Sequence, residues 1–243
     1  MPRHRLLRGI ASAAVLLAQA CLTPPCPAAI TIDLSYVDLQ SPEYARFKAW
    51  VDEAVDGNPD YGFSATDAAY MYRLTGQAQY AALAVQTSED QVSAAEAAIA
   101  NGDPPEVAGD SYLQVGDMLR DLALTWDWCA DAVTPEQRTR WSAYAEQAVW
   151  NVWHPDQAQW GGQPFPWSGW AIDDPADNYY YSFVEATMYW GLAEDSTTWI
   201  DLLQDDKLPA LEQYVAGIDG GGSQEGTGYG LSHRTLFSLY RVW

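Results

Sequence analysis

The sequence predicts an all-α protein, an incomplete (α/α) toroid built from helical hairpins. Three observations carry this expectation. Apolar residues recur at three- and four-residue steps over most of the chain beyond residue 40. Cap and stop signals cut that pattern into segments of ordinary helix length. Apolar-polar alternation suited to a strand or an extended lead-in is confined to residues 30–39. No repeat of fixed length is present, which disfavours tetratricopeptide and HEAT arrays. Helical hairpins in series then bury their faces by curving into a solenoid or a closed toroid.

The elements follow in order. Ser41-Pro42-Glu43 places a hydroxyl cap before a proline in the first turn, and Phe47, Trp50, Val51 and Ala54 share one face before Gly57-Asn58-Pro59. A second helix is expected from Ser64 or Thr66 to the stop at Gly76, and a third from Gln77, continuing or restarting through 92–100. Asn101-Gly102-Asp103-Pro104-Pro105 breaks the chain. The fourth helix is marked by Tyr112, Val115, Met118, Leu119, Leu122, Ala123 and Trp126. Thr134-Pro135-Glu136-Gln137 starts the fifth. A loop rich in Gly, Pro and Trp spans 154–177, helices are expected over 178–193 and 197–215, and a last helix begins near Ser232 after a glycine-rich stretch.

Residues 1–29 read as an export signal. Arg3, Arg5 and Arg8 precede an apolar run over 10–20 that is too short to span a bilayer. Two cleavage sites fit: Ala18-Gln19-Ala20 before Cys21, and Pro27-Ala28-Ala29 before Ile30. The first loosely resembles a lipoprotein box, but Leu17 sits one position too far back, which favours simple secretion. The expected location is therefore secreted or periplasmic, with a lipid anchor at Cys21 as the alternative, and with no membrane span. Domain organisation follows as a signal over 1–29 and one helical domain over 30–243. Cys129 stands alone among Leu124, Trp126 and Trp128 and reads as a buried inert thiol.

Hydrophobic residues make up 48% and charged residues 19% of the chain, a globular composition. Without residues 1–29 the chain has nine basic and 33 acidic residues, net −24. That excludes a nucleic-acid partner on electrostatic grounds. It also means that an acidic ligand needs a locally neutral cleft or high salt. The 12 Trp and 15 Tyr against 5 Phe suit either sugar stacking or helix–helix seams.

Three segments carry a resemblance. The run from Leu122 to Arg138, together with Tyr72-Arg73-Leu74-Thr75-Gly76 and Tyr80-Ala81, looks like toroid hairpin sequence. Asp177-Asn178-Tyr179-Tyr180-Tyr181 opens a helix. Asp219-Gly220-Gly221-Gly222-Ser223-Gln224-Glu225-Gly226-Thr227-Gly228-Tyr229 is similar to a glycine, then glutamate-glycine-x-x-tyrosine segment. Together, over about residues 44–243, these resemble heparinase II/III-like and alginate-lyase-like polysaccharide lyases. Tyr179 stands where such proteins often carry His or Asn. The resemblance implies a second, β-sandwich domain, and the chain is expected to lack it. The amphipathic pattern still running at Arg241-Val242-Trp243 suggests a truncated part of a longer enzyme, one that is inactive alone.

The resemblance also implies a chemistry. A lyase removes the C5 proton of a uronate and expels the C4 oxygen, so the carboxylate must be neutralised while enolate charge develops. A tyrosine can serve as base and then acid. On this basis Tyr229 is the candidate base/acid and Asn178 the carboxylate neutraliser. Glu225, His233, Tyr179 and the aromatics Trp160, Trp167 and Trp170 are candidates for substrate contact. Structural alternatives stay open: Asn178 as a helix cap, Glu225 as a turn residue, His233 as a surface or cap residue, and the Trp-Pro loop as a packed plug. The expected partner is an acidic polysaccharide, with no cofactor. His154 has no neighbour at metal-ligand spacing, so no metal is expected. Two further readings remain: a toroid glycoside hydrolase using a pair from Asp173, Asp174, Asp177 and Glu225, and a non-catalytic glycan-binding protein.

Overall fold

A computed structural model describes residues 29–218, 220, 222, 224–226 and 230–243. Residues 1–28 of the leader proposed over 1–29, and the candidate Tyr229, lie outside the described residues. The fold is all-α. The helices are α1 Pro42–Val55, α2 Ala65–Thr75, α3 Ala78–Ala100, α4 Val115–Trp128, α5 Pro135–Trp153, α6 Asn178–Ala193, α7 Thr197–Leu202, α8 Leu208–Ala216 and α9 Gly230–Val242.

Local chemistry accounts for most boundaries. The Ser41 hydroxyl accepts from the Tyr44 amide ahead of α1. Ser64 and Asp67 form a capping box at α2, which ends on Gly76 with φ of 68°. Thr134 and Gln137 form another at α5, each side chain taking up a backbone N–H of the other. These bonds satisfy amides that a helix start leaves without partners.

Residues 30–39 form extended chain and turns, the lead-in of the two forms expected there. Three expectations need correction. The strand pair among the described residues is a two-residue hairpin, β1 Gln159–Trp160 with β2 Gln163–Pro164, inside the Trp-rich loop. Tyr112 precedes α4 and does not belong to it: Asp110, Ser111 and Tyr112 all have left-handed φ. The segment over 197–215 is split between α7 and α8 by a π turn at Leu203–Lys207, just before Pro209 removes a backbone donor. The third helix, by contrast, runs unbroken to Ala100.

Packing arranges the helices in two rows. In one, α2 lies against α4, α4 against α6 and α6 against α9. In the other, α3 backs α2 and α4, α5 backs α4 and α6, and α7 backs α6. The core between the rows holds Trp126, Trp128, Trp141, Trp160, Trp190 and Trp199, all buried. Burying a large apolar side chain contributes about 1.5–3 kcal/mol. Cys129 is buried there, and burial pushes its thiol up to about 12. No helix among the described residues is long and apolar enough to cross a membrane.

Candidate functional site

The crossing of α4 and α6 is unusually tight because Gly116 has no side chain. A Cβ there would lie 2.8 Å from the Ser182 carbonyl oxygen and 2.8 Å from Glu185 Oε2. The Gly116 amide, free in the first turn of α4, donates to Ser182 Oγ at 2.8 Å. On α6, Asn178, Tyr181, Ser182 and Glu185 recur at helical spacing and line a cavity of about 330 Å³. Asp117 and Arg120 of α4 form its second wall, and Arg234 and Ser238 of α9 its third.

Arg120 organises the floor. Its guanidinium donates to Glu185 Oε1 at 2.7 Å and pairs with Asp117 at 2.7 Å. Glu185 is only 4% exposed, and burial raises its proton affinity although Arg120 opposes this. Asp121, on the next turn face, accepts from Ser64 Oγ at 3.1 Å and from the Thr66 hydroxyl; burial raises it too. A second hollow of about 450 Å³ shares Arg120, Glu185, Arg234 and Ser238 with the first and continues past Tyr70 and Tyr189 to Arg241. Arg234, Ser238 and Arg241 are spaced i, i+4, i+7 on α9, so one helical face supplies two of the three guanidinium groups.

At the mouth, Asp177 caps α6: its Oδ1 accepts from the Tyr179 amide at 2.9 Å. Asn178 is therefore the first helical residue and not the cap. Its amide nitrogen, turned to the acids, reaches Glu225 Oε1 at 3.1 Å and Asp177 Oδ1 at 3.3 Å. Burial, then the Asp177 charge, raises Glu225. His233 in the first turn of α9 has its ring 6.4 Å from that of Tyr181, with Nε2 buried and unpartnered. Burial pushes the Tyr181 phenol up, with Tyr214 and Glu225 nearby adding to it. Asn178, Glu225 and His233, far apart in sequence, thus gather around the outer turn of α6.

The aromatic candidates divide. Trp160 is 2% exposed, donates from Nε1 to the Tyr112 hydroxyl at 3.2 Å, and has no face to offer a sugar. Trp167 is half-buried, packs on Tyr112 and Phe183, and donates to the Asn151 carbonyl at 2.8 Å. These two form a packed plug, the structural alternative left open for this loop. Trp170 is 58% exposed, and its indole N–H reaches Asp177 Oδ2 at 3.1 Å, at the lip of α6. Tyr179 donates to Asp110 Oδ1 at 3.0 Å and packs beside Phe183. Asp173 is tied to Lys207 at 3.2 Å.

Sequence reasoning missed Arg120, Tyr181, Glu185 and Arg234. A signal existed for one of them. Glu185 is the one charged residue within α6. A lone charge inside an apolar helix is costly unless it meets a partner. No group of three or more His, Cys, Asp and Glu able to hold a metal is present among the described residues. Comparison with known proteins returned no relative: no family model, no curated protein and no solved structure matches the chain.

Proposed function

We propose that the chain is the helical part of a secreted polysaccharide lyase that cleaves a uronate-containing polysaccharide by β-elimination in the cavity between α4, α6 and α9. The observation that carries this reading is the company of Asn178: its side chain opens on the same cavity as Arg120 and Arg234. Arg120 is already paired with Glu185 and Asp117, so in a chain of net charge −21 it is Arg234, in no ion pair among the described residues, that favours a carboxylate ligand over a neutral one at this hollow. The two helix rows support an (α/α) toroid arc, with the cavity on its inner row.

In this mechanism Asn178 and Arg234 hold the uronate carboxylate and stabilise the charge that builds on it as C5 loses its proton. Tyr229, four residues after Glu225 in the sequence, takes that proton. The C4–O4 bond breaks, a C4=C5 double bond forms, and O4 leaves with a proton returned by the same phenol. Tyr181, held protonated by burial, donates a hydrogen bond to substrate and does not act as base.

One observation favours a second reading. With its amide nitrogen turned to the acids, Asn178 reaches both Asp177 and Glu225, so two carboxyl groups flank one side chain. That pair would suit a glycoside hydrolase, with the raised Glu225 as acid. Ultraviolet absorbance of the unsaturated product, followed on acidic and neutral polysaccharides, separates the two. New reducing ends without absorbance would overturn elimination. Binding without any cleavage would leave a glycan-binding role.

A further inference from the structure

Asp127 lies in the last turn of α4, one residue before its end. Helix dipoles make that end favourable for cations and unfavourable for carboxylates. None of the ion pairs among the described residues includes Asp127. Its two oxygens instead accept from two successive backbone amides, Ala29 N at 3.0 Å and Ile30 N at 2.8 Å. Ile30 is anchored at every point: its side chain is fully buried, and its carbonyl accepts from Trp128 Nε1 at 2.9 Å. Ala29, one residue earlier, is exposed. The chain thus docks on the fold from Ile30 onward, at the second of the two cleavage sites read in the leader.

We infer that Asp127 is the receptor for the mature amino terminus: export cleavage between Ala29 and Ile30 leaves an ammonium on Ile30 that forms an ion pair with Asp127. Hydrolysis of that peptide bond by an export peptidase consumes one water. The hydroxyl goes to the Ala29 carbonyl carbon, leaving a carboxylate on the departing leader. The Ile30 nitrogen keeps the electron pair of the broken bond, takes up protons and becomes an ammonium. Its new positive charge then sits where the uncleaved amide donates at 2.8 Å. A contact between a carboxylate and neutral amides at an unfavourable helix end becomes one between opposite charges, and leader removal is coupled to completion of the fold. The inference stands apart from the lyase reading, since it concerns α4 and the first docked residue alone.

The test has two arms. The full chain is exported from a bacterial host and the intact mass of the recovered protein is measured. A chain beginning at Ile30 supports the proposal; one beginning at Cys21, at any other residue, or left uncleaved overturns it. In the second arm, protein beginning at Ile30 is compared with the same protein acetylated on its amino group, each with Asp127 or Asp127→Asn. Acetylation should lower the unfolding temperature of the Asp127 form by about 3–8 °C and leave the Asp127→Asn form unchanged. Equal unfolding temperatures for free and acetylated Asp127 protein would overturn the ion pair, and this comparison holds even if Asp127→Asn does not fold.

Discussion

Gly116 of α4 and Glu185 of α6 approach so closely that a single added carbon at Gly116 would stand 2.8 Å from Glu185 Oε2. The neighbouring contact is backbone, the Ser182 carbonyl at 2.8 Å, and it has no rotamer to yield. Gly116→Ala should therefore cost about 1–3 kcal/mol despite alanine's better helix propensity. It should also weaken ligand binding, because parting the helices separates Arg120 from Glu185. Chemical denaturation with a binding titration checks both. An alanine variant as stable as the parent would mean that the crossing is looser than it stands.

Glu146 of α5 joins three helices through one carboxylate. Oε1 accepts from Trp190 Nε1 at 2.8 Å and Oε2 from Trp199 Nε1 at 2.9 Å. Glu146→Ala strands two buried indole donors and should cost about 2–4 kcal/mol. Glu146→Gln keeps one acceptor and should lose about half as much. Unfolding midpoints for the two variants give the comparison; indole fluorescence reports whether Trp190 and Trp199 loosen together.

Much of this fold was legible because its determinants are local. Ser41-Pro42 and Thr134-Pro135 each satisfy amides within four residues, so their helices begin where the sequence says. The Trp-rich loop was not legible in the same way. Trp160 and Trp170 have similar neighbours in sequence, yet one is buried against Tyr112 and the other exposed beside Asp177. That difference arises from the left-handed turn at 110–112 and from where α6 begins, both tertiary facts. The site was half legible: Asn178 and Glu225 were found by motif, and they meet. Arg120 and Arg234 carry no motif, and only the packing of α4 and α9 against α6 brings them to one hollow.

Stability should rise as pH falls from 7 toward about 4.5. Burial raises the carboxyl groups of Asp67, Asp121, Glu185, Glu194 and Glu225 above their ordinary values. A group raised on folding favours the folded state fully below its unfolded pKa, and that benefit disappears as pH climbs through the folded value. Asp52 and Glu89, held low by Lys48 and Arg140, act in the opposite sense and lose their contribution only further into acid. Relief of self-repulsion among 33 acidic residues adds to the acid-side gain, and added salt should mimic it at pH 7. Urea midpoints at several pH values, with and without salt, check this. A midpoint that peaks at pH 7 or ignores salt would contradict it.

Asn178 and Arg234 line one cavity but should fail in different ways when replaced. In the proposed elimination Asn178 faces the substrate carboxylate on which charge develops, so its loss would remove an interaction that strengthens in the transition state. Asn178→Ala should lower kcat by about 10²–10³-fold with little change in KM. Arg234 lies on the exposed α9 wall, and in the same proposal it attracts the carboxylate in ground and transition states alike. Arg234→Ala should mainly raise KM, and more so at low ionic strength, where its charge is least screened. Initial rates by product absorbance across substrate concentration, at two salt levels, resolve the pair. If both variants changed KM alone, Asn178 would be a binding group and the enolate would need another stabiliser. If Asn178→Ala left both constants intact, its bond to Glu225 would be structural and the reaction would lie elsewhere on the molecule.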